Sequence, residues 1–124
     1  MGQELSQDKT IFRGQTASFV ITVTDEGGVR FDLTGSTLYM RIKQSVSDPD
    51  PAIVELLTGT GIVHRNQTAS ATVGQADIVV TSAQTKLLTN QNNVYDVWLV
   101  KPSGDKTPVV PVSKLTVLTP VTLL

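Results

Sequence analysis

The chain has 124 residues and a formal net charge of -1, from 10 basic and 11 acidic side chains. That length supports one hydrophobic core rather than two, and so even a charge balance offers no basic stripe to displace counterions from phosphates, which argues against a nucleic-acid partner. Cysteine is absent, so neither a disulfide framework nor a thiolate metal site is available, and no run reaches the roughly 18 apolar residues that a membrane span needs.

The opening MGQELSQDKT is polar and lacks the basic segment and apolar stretch of a secretion signal. Residues 1–9 are expected to form an N-terminal arm ahead of a single domain over residues 10–122. Met1-Gly2 followed by Ser6 fits the bare myristoylation pattern, but no polybasic neighbour or second lipid site accompanies it.

Short extended runs separated by turn signals then follow at the spacing of an all-β sandwich. Residues 10–13 form a first strand, broken at Gly14-Gln15. Residues 16–24 form a half-buried strand with Phe19, Ile21 and Val23 on its inner face, and the turn Asp25-Glu26-Gly27-Gly28 leads to a return strand over residues 29–33. After the turn Thr34-Gly35-Ser36, the run TLYMRIK over residues 37–43 alternates cleanly, with Leu38, Met40 and Ile42 inward and Tyr39, Arg41 and Lys43 outward. Residues 44–51, QSVSDPDP, are polar and proline-rich and are expected to be an exposed loop. Residues 52–57 and 62–65 flank TGTG as a hairpin, and residues 71–73 and 76–81 are strands broken at Gly74-Gln75.

TSAQTKLL, residues 81–88, carries the one helical signal, with Thr81 or Ser82 as cap and Gln84 or Thr85 placed for a capping box. The strand VYDVWLV over residues 94–100 is apolar on both faces: Val94, Asp96, Trp98 and Val100 share one side, and Tyr95, Val97 and Leu99 the other. A central tryptophan in a sandwich reads as core, which assigns Trp98 inward and leaves Tyr95 and Leu99 outward. KPSGDK turns the chain, and residues 107–112 return with Pro108 and Pro111, which cannot donate to a ladder and so suit a sheet edge or a broken strand. Residues 114–118 and 121–124 close the chain.

No constellation calls for catalysis, a cofactor or a metal. His64 is the one histidine and has no second histidine or cysteine with which to build a strong metal site. Asp48 and Asp50 in DPDP lack the spaced oxygens, glycine and terminal glutamate of a calcium loop. Asp77 and Asp96 sit among apolar strand residues, where each needs a hydrogen-bond partner or a solvent-facing position. Asn66-Gln67-Thr68 matches the glycosylation sequon, which matters only on a secretory route. The serines lack a nucleophile elbow, so the expectation is a protein that is not an enzyme.

The runs IFRGQTASFVITVTDEGGVRFDLTGSTLYMRIKQ, ADIVVTSAQTKLL and YDVWLVKPSG resemble the small immunoglobulin-like sandwich found among structural proteins of tailed bacteriophages, including the N-terminal domain of phage baseplate upper proteins. The similarity lies in an RGQT-type lead-in to a strand, the DLTGST turn, the short helix, and a Tyr-Asp strand followed by a Pro-Ser-Gly turn. It implies an immunoglobulin-like antiparallel β-sandwich, assembled into a virion in the host cytoplasm and working by binding other virion proteins without cofactor or catalysis. Baseplate upper proteins continue into a long further segment. A free-standing domain instead fits a part added in many copies, above all a capsid decoration (cement) protein, with a neck, tail or baseplate adaptor as the alternative and a carbohydrate- or receptor-binding fibre sandwich as a third reading. The partners would be major capsid, tail or neck proteins and further copies of the chain, with no nucleic acid and no membrane. Charged residues are only 17%, which suits surfaces covered by neighbours, and the expected assembly contacts are Tyr95, Leu99, Tyr39 and Arg41.

Overall fold

A computed structural model describes residues 7–49 and 52–123. The chain is all-β with one short helix: β1 (Lys9–Phe12), β2 (Ala17–Thr22), β3 (Thr37–Lys43), β4 (Val54–Thr58), β5 (Gly61–His64), β6 (Gln75–Val80), α1 (Ser82–Lys86), β7 (Asn92–Val100) and β8 (Lys106–Leu118). The strands run in the order β1-β8-β7-β3-β4-β5-β6-β2. This ribbon folds over on itself into a nearly closed, barrel-like sandwich. β3, β7 and β8 are successive antiparallel neighbours, with β1 parallel to β8 on one flank and β4 antiparallel to β3 on the other. The second layer is β5, β6 and β2, again antiparallel. Two sets of strands correspond to parts of the two immunoglobulin sheets, β2-β6-β5 to the second, fifth and fourth strands and β3-β7-β8 to the third, sixth and seventh, with β4 as an added strand, while β1 lies beside β8 rather than in the first strand's usual sheet.

Alternation explains the core. Leu38, Met40 and Ile42 of β3 are buried, as are Ile21 of β2, Leu56 of β4, Ile62 of β5, Ile78 of β6 and Leu115 of β8, and all join one hydrophobic cluster with Phe19 packed against it. The β3 boundaries and faces are those read from the sequence.

The layers join between β4 and β5, where the sequence suggested a hairpin. The pairing there is parallel and only two register pairs long, Leu57 with Gly61 and Thr58 with Ile62. Gly59 and Gly61 both hold positive φ, and a Cβ on Gly61 would stand 2.6 Å from a Leu56 methyl carbon. The glycines therefore make a corner that carries the chain between layers.

Two further expectations are corrected. Residues 29–33 form no strand but a single bridge, Arg30 to Thr24, with Leu33 buried as a plug. Residues 71–73 lie in a turn, tied down by Gln67, whose side-chain oxygen accepts from the Leu33 and Gly74 N–H groups at 2.8 and 2.9 Å. Residues 107–112, expected at a sheet edge or in a broken strand, continue into residues 114–118 as one strand, and residues 106–112 of it pair with no described strand on the side away from β7. Against β7 that strand carries irregularities around Val97, where Val97 pairs with Val110 and Trp98 with Pro108, so the prolines coincide with bulges. Leu124, like Asp50 and Pro51, lies outside the described residues.

Helix α1 closes the end of the sandwich. Thr81 and Gln84 form the reciprocal capping box. The fully buried Thr85 accepts from Gly14 N–H at 3.0 Å and donates to Gln15 carbonyl at 2.8 Å, so the β1–β2 turn is clamped to the helix. Of the expected arm, Gln7 and Asp8 are docked on β8: Gln7 N–H donates to Ser113 Oγ at 2.9 Å, and Asp8 accepts from Lys114 N–H at 2.9 Å. Residues 1–6 lie outside the described residues.

Candidate binding face

The hairpin strand β7 faces the opposite way from the sequence reading. Tyr95 and Leu99 are buried, at 3% and 0% exposure, whereas Trp98 is 39% exposed. Tyr95 and Leu99 are therefore core residues and present no surface to a neighbour, which corrects their assignment as assembly contacts. The physical reason lies in Asp96. It shares a face with Trp98, so turning the indole inward would also bury a carboxylate, at a cost of several kcal/mol unless paired. Tyr95 tolerates burial because its hydroxyl donates to the Gln7 carbonyl at the rim. Burial, together with the nearby Asp8 carboxylate and against the pull of Ser113, pushes its phenol up to about 12.

Tyr39 and Arg41 are exposed, as expected, and register places them beside the outward residues of β7. Tyr39 pairs with Trp98 and Arg41 with Asp96. On the other side, Tyr39 pairs with Leu57 and Arg41 with Glu55. Two rows result: an apolar one of Leu57, Tyr39, Trp98 and Pro108, and a charged one of Glu55, Arg41 and Asp96. The Trp98 indole N–H donates to Asp96 Oδ2 at 3.1 Å, which fixes the ring's orientation. Arg41 Nε stands 3.7 Å from Glu55 Oε1, an ion pair too long for a hydrogen bond. Of these residues Tyr39, Arg41, Asp96 and Trp98, with Lys43, Val46, Val94, Tyr95, Val100, Lys106 and Val112, line a groove of about 550 Å³.

The other singled-out residues lie elsewhere. His64 Nε2 is 2.9 Å from Thr58 Oγ1, which also accepts from Leu38 N–H. Desolvation lowers the imidazole pKa, so a neutral ring accepting the Thr58 proton satisfies both groups. Asp77 receives a bidentate pair from Arg65, at 3.0 and 2.8 Å, and this bonding holds its carboxyl below the usual range. Asp48 accepts from Ser45 within its own loop. Asn66 accepts from Thr68, so the sequon residues form a local turn. Among the described residues no group of three or more His, Cys, Asp or Glu is placed to hold a metal, and no helix is long and apolar enough to cross a membrane.

The outer aromatic pair was missed in the sequence because β7 is apolar on both sides; the signal was Asp96, two positions from Trp98. No protein-family model and no curated protein matches the chain.

Proposed function

We propose that the chain is a non-enzymatic structural protein of a tailed-phage virion that binds other virion proteins in multiple copies, as a capsid decoration protein in the first instance and otherwise as a neck, tail or baseplate adaptor. One observation supports the resemblance behind this reading: its four motif runs fall at the junctions of a sandwich. Gly14-Gln15 turns into β2, Thr34-Gly35-Ser36 turns into β3, α1 caps the passage from β6 toward β7, and Tyr95-Asp96 lies on the strand before the turn at Pro102-Ser103-Gly104. The partners would be major capsid, tail or neck proteins and further copies of the chain, and Tyr39 and Arg41 remain candidate contacts. The test is co-sedimentation with particles lacking the protein, with bound copies counted against the capsid subunit. Saturation at hundreds of copies supports decoration, a few dozen or fewer supports an adaptor, and no binding overturns both.

A second reading, a carbohydrate- or receptor-binding sandwich, is favoured by the outward position of Trp98 beside Tyr39. Amphipathic aromatic faces of this kind are recurrent binding elements. The same sedimentation separates the two: if Tyr39→Ala and Arg41→Gln abolish co-sedimentation, the groove is the assembly contact, and if both variants sediment like the parent, it faces outward and is open to another ligand.

A further inference from the structure

We infer that the groove over β3, β7 and β8 is a binding site for an acidic saccharide. This rests on the second reading above and names its ligand class. The hollow of about 550 Å³ lies within the roughly 300 to 1,000 Å³ of small-ligand sites. Trp98 and Tyr39, cross-strand neighbours, both line it, and aromatic side chains of this kind offer π faces on which the C–H faces of a sugar ring can stack. Because the indole N–H is bound to Asp96, the ring is held in one orientation before any ligand arrives, which lowers the ordering cost of binding.

The charge of the lining selects the ligand further. Arg41, Lys43 and Lys106 line the groove with Asp96, and Glu55 stands 3.7 Å from Arg41, so cations exceed carboxylates there by three to two, in a chain whose acidic residues outnumber its basic ones, 11 to 10. Lys43 Nζ also donates to the Asp48 carbonyl at 3.0 Å. Arg41, held beside Glu55 without a hydrogen bond between Nε and Oε1, presents a planar fork that matches a uronate carboxylate.

Two other occupants fit less well. A second copy docked about a two-fold axis through the groove would bring two hollows face to face and leave both unfilled. A peptide would lie on a sheet face where the ladder already engages β3 and β7 on both sides. Strand addition is hindered too, because residues 106–112 of β8, which pair with no described strand on the side away from β7, contain Pro108 and Pro111. A saccharide carries hydroxyl and carboxylate groups that side chains alone can satisfy.

Trp98 is the single tryptophan, so its emission reads this groove alone. The experiment titrates the full chain with tetragalacturonate, its fully methyl-esterified neutral form, and tetraglutamate. The expected result is a saturable change with tetragalacturonate, weaker by about tenfold for the ester and for Arg41→Gln, the loss expected when a charge-assisted hydrogen bond goes. Lys106→Gln, also exposed, should weaken binding in the same direction, and unchanged thermal unfolding of both variants shows that folding is not the cause. Equal binding of the ester overturns the acidic preference and leaves the saccharide reading standing. An equal response to tetraglutamate overturns the saccharide class, and silence with all three overturns the inference, while the second reading stands or falls by the sedimentation of Tyr39→Ala and Arg41→Gln. Emission that depends on protein concentration without ligand, with no saccharide response, assigns the groove to a second copy and likewise overturns it.

Discussion

The indole N–H of Trp98 donates to the Asp96 carboxylate, 3.1 Å away and two positions earlier on the same strand. Side chains two apart share a face, so this bond ties the direction of the tryptophan to that of a charged residue. It directs the more polar side of β7 outward and sends Tyr95, Val97 and Leu99 into the core.

Adjacent residues of β7 should therefore respond oppositely to truncation. Leu99→Ala is expected to destabilise the chain by roughly 2 to 5 kcal/mol, as large-to-small changes in a close-packed core do. Trp98→Ala loses one partly exposed cross-strand pair, worth about 1 kcal/mol or less beyond its area, and should remain folded. Urea unfolding followed by circular dichroism measures both. A larger loss for Trp98→Ala than for Leu99→Ala would reverse the assignment of faces.

Much of the fold was legible in the sequence wherever one face of a strand was polar. TLYMRIK has a single consistent inner face, and β3 carries it without change of register. VYDVWLV has two apolar faces, so alternation told which residues travel together but not which group goes inside. Cross-strand partners make that visible: Leu38 stands opposite Leu99, and Tyr39 opposite Trp98. Pairing of distant strands is a tertiary fact. The same limit applies at Gly59 and Gly61, where a hairpin and a corner between layers share the turn residues and differ only in what each strand pairs with. Residues 29–33 alternate like a strand yet have one bridge only.

Two glycines separate crowding from backbone strain. Gly28 has φ of 80° with nothing near the position of a Cβ, whereas Gly74 has φ of 78° and a Cβ there would stand 2.7 Å from the Val23 carbonyl oxygen. Gly28→Ala should cost about 1 to 2 kcal/mol, the left-handed backbone penalty alone. Gly74→Ala adds a clash with a backbone oxygen that already accepts from Phe31 N–H, so its loss should exceed that of Gly28→Ala. Thermal unfolding of the two variants checks the order.

The titration of Tyr95 and His64 predicts stability falling toward both ends of the pH range. The Tyr95 phenol is raised in the folded chain from 10.0 to about 12, so the unfolded state loses its proton first. Its contribution is complete below pH 10 and declines between 10 and 12. His64 is lowered from 6.5 by burial, so the unfolded state takes up a proton first as the pH drops below that value, and stability falls there. Tyr95→Phe should flatten the alkaline decline and His64→Gln the mildly acidic one, each read from denaturant midpoints across pH. An unchanged slope in either variant removes that residue from the account.

The single tryptophan lies on an outer face of the sandwich, with the core sealed beneath it. Acrylamide quenching of Trp98 in the isolated, folded chain tests this most directly. The expected result is red-shifted emission quenched efficiently before any unfolding, in keeping with the 39% exposure of Trp98. Blue-shifted emission that resists acrylamide until the chain unfolds would place Trp98 in the core and contradict the face.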